Sequence, residues 1–155
     1  MRRMGRWIGG FALILATTCL MGFAAPSALA GSRQPDVYRH QMLAATNDSR
    51  LIHHKGRLSL DDRMSALAER HSAQMAKAGY LFHTSNVGAY LSDTPWHAWG
   101  ENIGYMPGGN VSDLQKAFMR SPVHRDNILN GAFRHVAIGT VYQGGTLWVT
   151  VFFYG

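Results

Sequence analysis

The 155-residue sequence predicts an α+β fold: an α-β-α sandwich with a small antiparallel sheet between helical layers. Two patterns lead there. Helical spacing of apolar residues dominates the chain up to about residue 130, and a β-hairpin ends it. The final strand is largely apolar on both faces, with Leu147, Val149, Val151 and Phe153 on one and Trp148, Thr150, Phe152 and Tyr154 on the other. Such a strand needs cover above and below, which only two helical layers can give.

The first element is a processing segment. Arg2, Arg3 and Arg6 precede a charge-free apolar run from Ile8 to Ala25, broken by Pro26 and followed by Ala28-Leu29-Ala30. This is the pattern of a secretory signal, with cleavage expected after Ala30 and a domain spanning 31–155. The competing reading, an uncleaved anchor helix, is weakened by the glycines and Thr17-Thr18 within the run. A lipoprotein reading through Cys19 lacks the usual leucine, because Ala16-Thr17-Thr18 precedes it. Cys19 is the only cysteine, so the exported domain would fold on its apolar core without disulfides. Three of the 15 Lys and Arg and none of the nine acids lie in the first 30 residues, which leaves +3 on the remainder. That charge is scattered, with no basic run interleaved with aromatics, and does not suggest a nucleic-acid partner.

A helix is expected from about Asp36 to Leu51, with Tyr38, Met42 and Ala45 on one side. His53-His54-Lys55-Gly56 reads as its solvated end. Ser59 and Asp62 resemble a capping box for the second helix, which Gly79 closes. Its stripe is Leu60, Met64, Leu67, His71, Met75 and Ala78, so His71 is read as a core histidine with a local hydrogen bond. Residues 86–95 read as a loop. The stretch from Trp96 to Tyr105 reads as a short strand or extended turn, and Pro107-Gly108-Gly109-Asn110 as another loop. A helix from about Ser112 to Met119 then leads into Ser121-Pro122-Val123-His124-Arg125-Asp126-Asn127-Ile128-Leu129. There Ser121 is a cap candidate and Pro122 suits the first helical position. His124 falls in the first turn, where the helix dipole favours a neutral imidazole. The hairpin follows, with Val136 to Tyr142 as one strand, Gln143-Gly144-Gly145 as the turn and Leu147 to Tyr154 as the return.

The sequence lacks G-x-S-x-G, H-E-x-x-H, a Walker loop, G-x-G-x-x-G and a Cys pair. What remains is a dispersed set, His83, Glu101 and His124, each beside a glycine or a helix start. Spacing alone does not bring them together.

Five stretches occur in a telling order: His71-Ser72-Ala73-Gln74-Met75-Ala76; Gly79-Tyr80 with His83-Thr84-Ser85; Gly100-Glu101-Asn102-Ile103; Ser121 to Leu129; and Val149-Thr150-Val151-Phe152. Together they resemble the CAP superfamily (cysteine-rich secretory proteins, antigen 5, pathogenesis-related 1) in its bacterial SCP-like form without cysteines. The resemblance covers about Pro35 to Gly155. It implies an α-β-α sandwich and a cleft lined by two histidines and two acids, often able to hold a divalent metal. Here His83, Glu101 and His124 match that set, while Ser121 stands where eukaryotic members carry the second acid. Phe118 replaces the usual tryptophan of the preceding helix. The cleft is therefore expected to hold a divalent metal such as zinc weakly, through His83 and His124.

Two functions follow as expectations. The first is a secreted binding module for a small molecule, a lipid or a secreted or cell-surface protein, extracellular or periplasmic, with no membrane span in its mature form. The alternative is a metal-dependent extracellular hydrolase in which His83 and His124 hold the ion and Glu101 is a ligand or general base. Fold alone does not choose between them.

Overall fold

The computed structural model describes residues 33–85, 87–90 and 96–155. The expected signal segment 1–30 and its cleavage point at Ala30 lie outside the described residues. In chain order the elements are α1 (Arg33–Ile52), β1 (Ser59–Leu60), α2 (Asp62–Ala78), the single turn α3 (Val87–Tyr90), β2 (Trp99–Pro107), α4 (Val111–Arg120), α5 (Pro122–Leu129), β3 (His135–Gln143) and β4 (Thr146–Tyr154).

The four strands form one sheet in the order β1-β3-β4-β2. Strand β4 is antiparallel to both β2 and β3, whereas β1 runs parallel to β3. The sheet is therefore mixed, which corrects the purely antiparallel expectation. No hairpin dictates the direction of β1, since β2 and the helices α2 to α5 intervene before β3. Backbone bonds that include Ser59 N–H to Arg134 O and Asp61 N–H to Val136 O align it with β3.

This short strand also overturns the capping box. Ser59 and Leu60 belong to the sheet, and Asp61 is the N-cap of α2, its carboxylate accepting from the Met64 N–H at 2.9 Å. Gly79 closes the helix in the left-handed conformation, as its position suggested. The buried face of α2 is Met64, Ser65, Ala68, His71, Ser72 and Met75. It holds more small polar residues than the apolar stripe did, because the helix lies very close to β3. A Cβ added to Gly139 would overlap the backbone of Ala68 and Glu69.

Strand β4 is covered on both faces, as its sequence requires. Helix α2 packs on one side with Ala137, Phe152 and Tyr154, and Met75 joins Ile103 and Trp148. Helices α1, α4 and α5 cover the other, where Met42, Leu114, Phe118 and Ile128 meet Val136, Ile138, Val149, Val151 and Phe153. The hairpin turns at Gly144 and Gly145, both with positive φ. The stretch around Trp99 is a full nine-residue edge strand, longer than the short segment expected. Within the expected loop at 86–95, Val87–Tyr90 forms one helical turn, and residues 91–95 lie outside the described residues.

Candidate functional site

The site is built around the edge strand β2, whose successive side chains point to opposite faces. Glu101 pairs with Phe152 and so lies on the α2 face; Asn102 pairs with Val151 and lies on the α5 face. One strand thus reaches both halves of the site.

On the α2 face the Glu101 side chain is only 4% exposed. One oxygen, Oε2, lies 2.6 Å from His83 Nδ1 and 3.1 Å from the Thr84 backbone N–H, which donates to it. The other, Oε1, accepts from the Thr84 hydroxyl at 2.7 Å and lies 3.7 Å from His71 Nδ1. A buried carboxylate needs such donors. The consequence for His83 is a fixed tautomer, with Nδ1–H on the carboxylate and the Nε2 lone pair directed away from it. The His83 side chain is 64% exposed, so that nitrogen is reachable from solvent.

His71 has a tautomer that follows from hydrogen counting. The Ser72 hydroxyl has one hydrogen, and the Gly139 carbonyl 3.0 Å away can only accept it. At the 2.9 Å contact between Ser72 and Thr150 the hydrogen therefore comes from Thr150. Thr150 Oγ1 is then left to accept, so His71 Nδ1, 3.1 Å away, carries the proton. His71 Nε2 is a buried lone pair with no hydrogen-bond partner among the described residues. Burial lowers the His71 pKa; the Glu101 charge opposes this and the nearby His83 reinforces it. The ring is a core histidine as expected, but its hydrogen bond runs to Thr150 on β4 and is not local in sequence; it also touches the site through Glu101.

On the α5 face Asn102 Nδ2 donates to the His124 carbonyl at 3.0 Å, and Asn127 Nδ2 donates to Asn102 Oδ1 and to the Glu101 carbonyl. These bonds seat α5 against β2. Gly100 lets Asn127 approach, since a Cβ there would come within 2.5 Å of Asn127 Oδ1. His124 Nδ1 lies 2.9 Å from Ser121 Oγ, and its ring tilts against Phe118 with centroids 4.9 Å apart. Ser121 occupies the N-cap position, yet its side chain makes no cap bond. The hydroxyl holds His124 instead, which corrects the capping role. The His124 pKa is lowered, first by burial and then by His83. Desolvation is thus the leading cause that favours its neutral form.

The four residues singled out in the sequence fall into two hydrogen-bonded pairs, His83 with Glu101 and Ser121 with His124. Each pair leaves one imidazole Nε2 outside its own bond, and those two nitrogens are the groups that could hold a divalent ion. A three-ligand set with Glu101 does not form: among the described residues no three His, Cys, Asp or Glu side chains are placed to hold a metal ion. The sequence reading missed Thr84, Asn102 and Asn127, although each belongs to a stretch that carried the resemblance.

Beside His124 is a cavity of about 240 Å³ lined by Leu81, Ile103, Tyr105, Leu114, Phe118 and Ser121, among others. Its wall is mainly apolar and its polar end is the Ser121–His124 pair. No helix among the described residues is long and apolar enough to cross a membrane.

Comparison with known proteins agrees with this architecture. The chain is 29% identical over 121 residues to the uncharacterized protein YkwD of Bacillus subtilis, covering 74% of this chain and 46% of that protein. It therefore spans less than half the length of this curated relative. An extracellular SCP-domain protein of Bacillus anthracis superposes with a TM-score of 0.70 at 26% identity, over 84% of this chain and 44% of that one. An outer surface protein of Borrelia burgdorferi shares the fold, with a TM-score of 0.66 at 13% identity over 76% of this chain and 92% of that one. The family model described as the cysteine-rich secretory protein family matches residues 43–153, and with its sandwich and its edge-strand cleft the chain belongs to that family, the CAP proteins.

Proposed function

We propose that this chain is an exported, non-catalytic binding module whose cleft takes a small amphipathic ligand. The observation that carries the reading is the cavity beside His124: Leu81, Ile103, Tyr105, Leu114 and Phe118 offer an apolar wall, and Ser121 with His124 offers one polar end. A ligand with an apolar body and a polar head matches that division, which includes lipids and apolar segments of a partner protein. A divalent ion such as zinc adds a second polar anchor, held by the Nε2 atoms of His83 and His124 with Glu101 orienting His83 from behind. Support for export comes from the charged start, apolar run and Ala28-Leu29-Ala30, and from the extracellular description of the Bacillus anthracis relative.

The hydrolase alternative requires Glu101 to take a proton from water or to ligate the ion. Both its oxygens already accept hydrogen bonds, from His83 and from Thr84, which weighs against it.

The reading is tested by NMR titration of the 31–155 protein with a medium-chain fatty acid. Shifts confined to Ile103, Tyr105, Ala117 and His124 are expected; undisturbed resonances at millimolar ligand would refute the cleft as the binding site. Zinc calorimetry on the parent, His83→Ala and His124→Ala tests the metal anchor. Binding should be weak, lost in both variants and lost again in acid, since the ligands must be deprotonated. N-terminal sequencing of secreted material should begin at Gly31.

A further inference from the structure

A second cavity, of about 310 Å³, opens between the α1–β1 and α5–β3 connections. Arg50, His54, Lys55, Arg57 and Arg134 line it, and no acidic side chain does. Of the 12 Lys and Arg beyond residue 30, four thus face one opening in a chain that has nine acids to distribute. None of the four forms an ion pair with a carboxylate among the described residues.

Arg50 is the centre of this arrangement and only 1% exposed. Its Nε donates to Gly56 O at 2.6 Å, and Nη1 donates to Ile128 O at 2.7 Å and Asn130 O at 3.0 Å. Those bonds have a structural purpose: they cap the C-terminal carbonyls of α5, where a cation is favoured. They use three of the five guanidinium hydrogens, and Nη2 takes part in none of them. Arg134 commits only Nη1, to the Gly131 and Phe133 carbonyls. Burial, and then the charge of Arg134, lower the Arg50 pKa. Helix capping explains one buried arginine. It does not explain Lys55, Arg57 and Arg134 around the same mouth.

We propose that this cavity binds a phosphate group, as a free phosphate or as a phosphoester within a larger molecule. Four permanent cations exceed what a single carboxylate neutralises. The guanidinium forks match the several oxygens of a tetrahedral anion. The volume takes a phosphate together with part of whatever it is attached to. The site is separate from the His83–His124 cleft and does not depend on what that cleft binds.

The test uses the 31–155 protein and two probes in low-salt buffer: inorganic pyrophosphate, and vesicles of phosphatidylglycerol against phosphatidylcholine. Pyrophosphate should shift the amides of Gly56, Arg57 and Gly131 but not those of Gly100 and Gly104, with an affinity that falls as salt rises. Arg57→Gln and Arg134→Gln should each weaken it about tenfold, and both leave the Arg50 backbone clamp in place. Gly131→Asp adds an acid at the mouth, where a new Cβ meets nothing within 4 Å, and should abolish binding at an unchanged melting temperature. Pyrophosphate binding without vesicle binding assigns free phosphate as the ligand. Binding to phosphatidylglycerol alone, lost in the same variants, assigns a headgroup. Failure of both probes, or binding undiminished in the Arg57→Gln/Arg134→Gln double variant, overturns the proposal.

Discussion

Glu101 and Arg50 are both buried ions, and the fold treats them in opposite ways. Glu101 is surrounded by donors, including an imidazole and a hydroxyl from the same cleft. Arg50 is met by carbonyl oxygens alone, and the charged groups that line the cavity beside it are also cations. Both have hydrogen-bond partners within the fold, which is what burial demands first. They differ in what is left over. Around Glu101 the charge is spent on orienting His83; around Arg50 the positive field remains and extends into the adjoining cavity. One region positions its ligand groups, and the other attracts a ligand from outside.

The sharpest way to break this comparison is Arg50→Met, which leaves the Gly56, Ile128 and Asn130 carbonyls without their donor. A loss of about 3–5 kcal/mol in urea unfolding is expected. A loss below about 1 kcal/mol would mean that water replaces the clamp readily. Glu101→Gln should cost less, about 2 kcal/mol, because the amide nitrogen then faces the Thr84 or His83 donors. It should also lower the His71 pKa further, since the Glu101 charge is what raises it. An NMR titration of the His71 ring reads that directly.

Acid separates the two regions without mutation. His71 and His124 both have lowered pKa values in the fold. Their unfolded imidazoles take up protons near pH 6.5 while the folded ones stay neutral to lower pH. Stability is therefore full above that value and falls as pH drops below it. Denaturation across that range should show a smaller fall in His124→Ala. Burial would raise the Asp61 pKa, but hydrogen bonds from Tyr154 and the Met64 N–H outweigh it and lower it. That contribution is lost only at the acid end, as pH falls below the ordinary carboxylate range. The smallest effect is expected of Ser121→Ala, about 0.5–1 kcal/mol for the His124 bond. Its helix should start at the same residue, as amide exchange would show, because the hydroxyl is not a cap.

Much of the sandwich was legible in the sequence because it is written in local periodicity. The Met64–Met75 stripe, the stop at Gly79 and the two-faced strand at Leu147–Tyr154 each state their own burial. What escaped was decided by partners far along the chain. Ser59 and Leu60 look like a helix start until β3 claims their backbone, and nothing local marks Arg50 for burial until the Ile128 and Asn130 carbonyls meet it. In the site, His83, Glu101, Ser121 and His124 were legible only through the order of their motifs. Their division into two pairs across β2 depends on strand register, which no single motif contains. The direction of β1 is equally non-local.

The contact at Gly139 has a further consequence, for how the chain avoids assembling wrongly. A helix with apolar and small residues on one side could dock on a sheet in several rotations of similar apolar burial. Only one of them sets the Ala68 backbone over the single position of β3 that lacks a side chain. Every other seating meets a Cβ and holds the helix off, with voids and lost dispersion contacts beneath it. Gly139 thus acts as a keyhole for α2. Because His71 lies one turn beyond Ala68, the same fit fixes its ring against Thr150, and through Glu101 it sets the far wall of the cleft. A larger residue at 139 would leave the helix intact and misplace the site, an error of alignment instead of one of folding.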